Sequence, residues 1–114
     1  MVVQIEATAS EVTASLSGEL DHHTARLMRE QIDAAVGRSP AKVLRLDFSR
    51  IGFMDSSGIG LVMGRYRLMQ SRGGRLVVTG VSERLLRVMR LAGLERLPVW
   101  EDRTNSEAKK EAHK

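Results

Sequence analysis

An aspartate followed by two serines is the segment of this 114-residue chain whose residue types best suit chemistry. Asp55, Ser56 and Ser57 lie between a stretch typical of a buried strand and a stretch with helical spacing. The first N–H groups of a helix have no partner inside the helix, and the helix dipole is positive there, so this place stabilises an anion. We therefore predict an anion site at this helix start, where phosphorylation of a serine would add about −1.5 to −2 charges, favoured by the helix end and repelled by Asp55. Gly58 and Gly60 are expected to leave the approach to the serine hydroxyl open.

The same segment is equally typical of an ordinary helix start, and its spacing does not decide between the two interpretations. A side-chain oxygen of Asp55 or Ser56 can cap a helix by accepting a hydrogen bond from its first turn. Two enzymatic patterns are absent: no glycine stands at the required offset before the serines for a G-x-S-x-G hydrolase, and the chain lacks a G-x-x-x-x-G-K-[ST] phosphate loop. No acid/base pair or activated nucleophile is evident, so we expect no catalytic residues.

Two adjacent histidines, His22 and His23, follow a second aspartate, Asp21. Neighbouring side chains on a helix point to different faces, and no cysteine or further histidine cluster completes a coordination sphere, so we expect no metal site. Residues 18–25, which contain these three, connect a strand to a helix, as residues 53–58 do. If the two strands are parallel neighbours, both connections share one rim of the sheet.

Helical spacing also predicts a docking surface below the serines. At 100° per residue, Leu61, Arg65, Leu68 and Arg72 fall on the side of their helix that is expected to face solvent. The residues expected to face the sheet are Ile59, Val62, Met63, Tyr66, Met69 and Gln70. Leucines that alternate with arginines beside Ser56 are typical of a surface that binds a protein. Scattered exposed leucines are also common without any function, so that alternative stays open.

The elements that must position these residues are predicted from apolar periodicity and from helix-capping signals. We predict strands over residues 2–7, 11–17, 43–49, 75–79 and, at an edge, 97–100. We predict helices over residues 21–36, 57–71 and 82–91, with Asp21 or a neighbour as the N-cap of the first and Ser82 as the N-cap of the third. The first two strands form an antiparallel hairpin, and the strand, helix and strand between residues 43 and 79 form a parallel crossover. The expected architecture is an α/β domain with a mixed sheet of four to five strands and helices packed on it.

Composition excludes several function classes. The chain has no cysteine, 42% hydrophobic residues and a net charge of +4. Its arginines are scattered through every segment and only four aromatic residues are present, so we expect no direct contact with nucleic acid. The apolar runs are too short to span a membrane and the N-terminus lacks a secretion signal, so we predict a cytoplasmic protein. Residues 101–114 have no large aliphatic side chain and are expected to form a charged, weakly ordered tail after the domain of residues 1–100.

Three motifs resemble those of the STAS-domain anti-sigma factor antagonists. They are G-E-L-D-H-H-T-A at residues 18–25, F-M-D-S-S-G-I-G at residues 53–60 and G-R-Y-R at residues 64–67. The resemblance covers about residues 1–100 and implies a single STAS-like domain. The D-S-S-G element is shared by many antagonists, whereas the other two motifs narrow the resemblance to the sporulation branch, which serves sigma F. Family members commonly end in an amphipathic helix, and residues 101–114 lack the apolar face that such a helix needs.

The resemblance implies control by partner switching. In the family, an unphosphorylated antagonist binds an anti-sigma factor that is also a serine kinase, and this frees the sigma factor. The kinase then phosphorylates the antagonist, which releases it, and a phosphatase of the PP2C type removes the phosphate. On this chain the resemblance makes Ser56 the phosphoacceptor and makes the chain a substrate, not an enzyme, with no cofactor. The residues expected to contact the partner are Asp21, His22, Asp55, Ser57, Gly58, Gly60, Leu61, Arg65 and Leu68.

Two other functions remain open at this point. One is an antagonist in a different, stress-response sigma pathway, which would share the mechanism and differ in its partner. The other is a STAS module that senses a nucleotide with the start of its helix as the phosphate pocket. Titration with GTP and ATP would separate the nucleotide sensor from the antagonists.

Overall fold

Strands and helices alternate along residues 2–100, which are the part of the chain that the computed structural model describes. The strands are β1 (Val3–Ala7), β2 (Glu11–Leu20), β3 (Val43–Met54) and β4 (Arg75–Thr79). The helices are α1 (His22–Gly37), α2 (Ser56–Ser71) and α3 (Glu83–Leu91), followed by a 3-10 turn at Leu94–Arg96. The predicted tail of residues 101–114 lies outside the described residues.

The four strands form one mixed sheet in the order β1-β2-β3-β4. β1 pairs with β2 in the antiparallel direction, and β2 with β3 and β3 with β4 are parallel. The predicted α/β architecture, with its hairpin and its parallel crossover, is therefore confirmed. The helical residues that cover the sheet include Met28 and Ile32 of α1 and Val62 and Met69 of α2, which are buried against the apolar residues of the strands.

The central strands are longer than the sequence predicted. β3 was expected to end at residue 49, because Ser49 and Arg50 interrupt its apolar run, but it continues to Met54. The β2–β3 pairing shifts register at two places, which lets the strands pass these polar residues and bury Ile51 and Met54 further on. β2 and β3 consequently run together beyond the ends of β1 and β4.

The predicted edge strand at residues 97–100 is wrong. Only an isolated bridge joins Trp100 to Val78, supported by the Val78 N–H donating to the Val99 carbonyl oxygen at 2.6 Å. Residues 97–99 form a bend and a turn directly after the 3-10 turn, so only the end of this segment lies beside β4. The sheet of residues 2–100 therefore has four strands.

Within residues 2–100, every helix is too short or too polar to cross a lipid bilayer.

Candidate functional site

The starts of α1 and α2 lie side by side on one rim of the sheet. Leu20, the last residue of β2, pairs with Met54, the last residue of β3. The link continues past the strands, because the Asp55 N–H donates to the Leu20 carbonyl oxygen at 3.2 Å. The two strands are parallel neighbours, as a shared rim requires. Both strand-to-helix connections share this rim.

Asp21 caps α1 through a reciprocal pair of hydrogen bonds with Thr24. Its Oδ1 accepts from the Thr24 N–H, and its own N–H donates to the Thr24 Oγ1, both at 2.9 Å. The Thr24 hydroxyl in turn donates to the Glu19 carbonyl oxygen at 2.6 Å. The Thr24 N–H, and then the Thr24 side chain, hold the pKa of the Asp21 carboxyl below its ordinary value. The rim therefore carries a fixed negative charge at this position, and the predicted N-cap is confirmed.

Asp55 caps α2, and this leaves the neighbouring hydroxyl free. The Asp55 Oδ1 accepts from the Ser57 N–H at 2.8 Å. Ser56 is the first residue of the helix, its side chain is exposed, and its hydroxyl has no hydrogen-bond partner among residues 2–100. The helix starts one residue earlier than predicted. The arrangement presents an unengaged hydroxyl at the positive end of a helix dipole.

The two glycines after the serines differ in role. Gly60 is exposed, and a Cβ at this position would meet no other atom within 4 Å, as the prediction of an open approach requires. For Gly58 that prediction is wrong. Gly58 is buried, and a Cβ there would overlap the Met54 side chain and touch Leu20. Gly58 thus lets the first turn of α2 pack closely on the ends of β2 and β3.

The predicted docking strip on α2 does not face solvent. Leu61 is only 4% exposed and Arg65 only 7% exposed, while Leu68 and Arg72 are half-buried. The physical reason is that α1 packs against this side of α2, and the Arg65 Nε lies 2.9 Å from the Asp33 Oδ1 of α1. Helical phase identified two sides of α2 but could not show that a second helix covers one of them.

The side of α2 that was expected to face the sheet is also more open than predicted. Val62 and Met69 are buried as expected. Ile59, Met63 and Tyr66 are half-buried, and Gln70 is exposed. The solvent-exposed side of α2 therefore includes Ile59, Met63, Tyr66 and Gln70 and not the predicted docking strip.

A groove of about 450 Å³ runs between α1 and α2 from the rim. His22 of α1 and Ser57 of α2 line it near the rim, and three arginines line it as well. Two of them, Arg26 and Arg29, belong to α1 and are exposed. The third, Arg65, is buried, and its burial is the main cause that lowers the pKa of its guanidinium, with Arg29 contributing in the same direction and Asp33 opposing it.

Within residues 2–100, no group of three or more histidine, cysteine, aspartate or glutamate side chains is arranged to hold a metal ion.

Comparison with known proteins agrees with this geometry. A protein-family model described as "Mlab, STAS domain" matches residues 3–99. The chain is 34% identical to the anti-sigma F factor antagonist of Paenibacillus polymyxa over 105 residues, which cover 91% of this chain and 90% of that relative. This chain belongs to the STAS-domain anti-sigma factor antagonists. The predicted family is therefore confirmed.

This antagonist is also 27% identical to the anti-sigma-B factor antagonist of Bacillus subtilis (strain 168), over 82% of its own length and 84% of that relative. The solved structure of the anti-sigma factor antagonist SpoIIAA in its unphosphorylated form is similar to it, with a TM-score of 0.76, 33% identity and coverage of 91% of this chain and 96% of that chain. The phosphorylated form of the Bacillus cell fate determinant SpoIIAA has a TM-score of 0.69 and 35% identity, covering 96% and 98% of the two chains. The predicted STAS fold is confirmed.

The antagonist's rim and groove gather most of the residues singled out in the sequence. Asp21 and Asp55 are caps on the rim, while His22, Ser57 and Gly60 line the groove. Leu61 and Arg65 form its buried wall, and Leu68 lies farther along α2, half-buried. Arg26 and Arg29 were missed. Their spacing of three residues on α1 was a signal, but it gains meaning only once α2 is known to lie beside α1.

Proposed function

We propose that this antagonist works by partner switching controlled at Ser56. The unphosphorylated form binds an anti-sigma factor that is also a serine kinase, and phosphorylation of Ser56 by that kinase ends the binding. The observation that carries the proposal is the exposed Ser56 hydroxyl without a hydrogen-bond partner among residues 2–100, placed directly after the residue that caps α2. Relatives solved in unphosphorylated and phosphorylated forms support it.

Phosphorylation at this position would change the charge of the rim without refolding the domain. Asp55 already supplies the cap, so the helix start does not depend on the Ser56 hydroxyl. The helix dipole favours the new phosphate, whereas the carboxylates of Asp55 and Asp21 on the same rim repel it. A partner that fits the unmodified rim would then meet about two additional negative charges.

We assign this antagonist to the sporulation pathway of sigma F. The motifs at residues 18–25 and 64–67 support this assignment, and so does the greater identity to the anti-sigma F factor antagonist than to the anti-sigma-B factor antagonist. The chain acts in the cytoplasm as the substrate of two enzymes, the kinase and a phosphatase of the PP2C type. An antagonist of a stress-response sigma factor remains the second candidate because of its similarity to the anti-sigma-B relatives. Binding assays against both types of anti-sigma factor would separate the two pathways.

The proposal predicts a single site of modification. Incubation of the purified chain with ATP and the anti-sigma factor kinase of its own organism should add one phosphate, which mass spectrometry of the digested protein should locate on Ser56. The Ser56→Ala variant should remain unmodified. Ser57→Ala is the matched control, since it removes the neighbouring hydroxyl and should still be modified. Phosphate on Ser57, or continued labelling of Ser56→Ala, would contradict the assignment.

A further inference from the structure

The groove between α1 and α2 carries a positive charge that the described residues do not balance. Arg26 lies 3.5 Å from the Glu30 carboxylate, and Arg65 lies 2.9 Å from the Asp33 carboxylate. Arg29, the remaining groove arginine, is in no ion pair within residues 2–100. Its charge is close enough to Arg65 to lower the pKa of that guanidinium. Arg29 is exposed, so its charge is accessible to an acidic group of a partner.

The groove is also open to a side chain that approaches from the rim. Gly60 and Gly64 line it, and a Cβ at either position would meet no other atom within 4 Å. His22 and Ser57 line its end at the rim, next in sequence to the Asp21 cap and to Ser56. A protein that brings ATP to the Ser56 hydroxyl must cover this end of the domain. The groove is therefore continuous with the surface that such a kinase would occupy.

We propose that the groove receives an acidic side chain of the anti-sigma factor kinase, with Arg29 as its counter-charge. This inference rests on the proposed function and adds the chemistry of the contact. An anchoring acid in a partly enclosed groove gives specificity, because a partner without it leaves the charge of Arg29 without a counter-charge, whereas Arg65 is already paired with Asp33. The acidic side chain of the kinase would lie in the groove beside Ser56. It would therefore hold the kinase in place while Ser56 is phosphorylated.

Two variants test the groove by different means, and both should fold. Arg29→Glu reverses the charge at an exposed position and relieves its repulsion with Arg65. Gly60→Met fills the groove with a side chain whose Cβ meets nothing. Arg87→Glu, on the exposed face of α3, is the control for the change in net charge. For each protein, the dissociation constant for the kinase, its dependence on salt and the melting temperature of the free antagonist are measured.

We expect Arg29→Glu and Gly60→Met to raise the dissociation constant at least about tenfold, while Arg87→Glu leaves it near the wild-type value. The melting temperature of Arg29→Glu should stay close to that of the wild type, because the loss of repulsion with Arg65 is offset by repulsion between the new glutamate and Asp33 one turn later. Its binding should also depend less on salt, since one charge pair with the partner is lost. A purely structural role for Arg29 predicts a clear fall in melting temperature.

The outcomes separate this inference from the proposed function. If the kinase phosphorylates Ser56 and binds both groove variants as tightly as the wild type, the groove is not its anchor and the proposed function stands. If the kinase neither binds nor phosphorylates the wild-type chain, both proposals fail. Titration of the antagonist with inorganic phosphate and with ATP tests whether a small anion binds in the groove instead of the kinase. Binding of either that is lost in Arg29→Glu, with kinase binding unchanged, would overturn the inference in favour of a small-anion site.

Discussion

Asp55 and Ser56 have different roles at the start of α2. The Asp55 carboxylate caps the helix, and the Ser56 hydroxyl has no hydrogen-bond partner among residues 2–100. The Asp55 carboxylate accepts from the Ser57 N–H, so one of the unpaired amide groups at the helix start is already satisfied. The Ser56 side chain therefore has no structural duty at the cap. The proposed phosphorylation of Ser56 would therefore leave the helix start intact, because Asp55 supplies the cap.

These roles predict different effects for two substitutions of the cap residue. Asp55→Ala should lower the free energy of unfolding by about 1 kcal/mol, because it removes the acceptor of the Ser57 N–H. Asp55→Asn should lower it much less, since asparagine is an equally good N-cap. Urea denaturation of both variants beside the wild type measures the difference. Equal losses for the two variants would show that charge, and not the hydrogen bond, is what Asp55 contributes.

At the scale of elements, α2 is positioned by contacts on two sides. Its Val62 and Met69 are buried with the core residues of the sheet, and Arg65 pairs with Asp33 on α1. At its first turn, Gly58 allows the Met54 side chain to lie directly against the helix backbone. Close contact at this point fixes the start of α2, and with it Ser56, relative to the end of β3.

The glycine contact can be tested against a second glycine in the same helix. Gly58→Ala should destabilise the domain by about 1 to 2 kcal/mol, because its methyl group would overlap the buried Met54 side chain. Gly60→Ala should stabilise it by about 0.5 to 1 kcal/mol, since alanine is the better helix former and the space is open. Denaturation midpoints of the two variants measure the contrast. A Gly58→Ala protein as stable as Gly60→Ala would show that Met54 moves aside freely.

The order of elements was predictable because it depends on local patterns, whereas the faces of α2 depend on distant neighbours. Periodicity and caps identified α1 and α3 through Asp21 and Ser82, and both caps are present. The burial of Arg65 follows from the position of α1, some thirty residues earlier in the chain, and no spacing within α2 encodes it. The segment at residues 97–100 has strand-like composition, but residues 97–99 form a bend and a turn. The groove could not be predicted from the sequence either, because it depends on the packing of α1 against α2.

At the scale of the whole molecule, the parallel pair β2 and β3 joins the stable core to the rim. Their inner portions carry the buried residues of the sheet, and their ends carry the two capped helices. Across the same pair, the Arg45 Nε donates to the Glu11 Oε2 at 2.8 Å. This contact is the main cause that lowers the pKa of the Glu11 carboxyl, as Thr24 does for Asp21 at the other end of β2.

These two carboxylates predict that acid weakens the domain through β2. A carboxyl whose pKa is lower in the folded protein stabilises the fold above its unfolded pKa, and that contribution is lost as the pH falls through the folded value. The melting temperature should therefore decline as the pH drops below about 4. In the double variant Glu11→Gln, Asp21→Asn the melting temperature should be lower near pH 7 and should change less with acid. Glu6→Gln, at an exposed position of β1, is the matched control and should follow the wild type. If the double variant loses as many degrees between pH 7 and pH 3 as the wild type does, other carboxylates govern the acid transition.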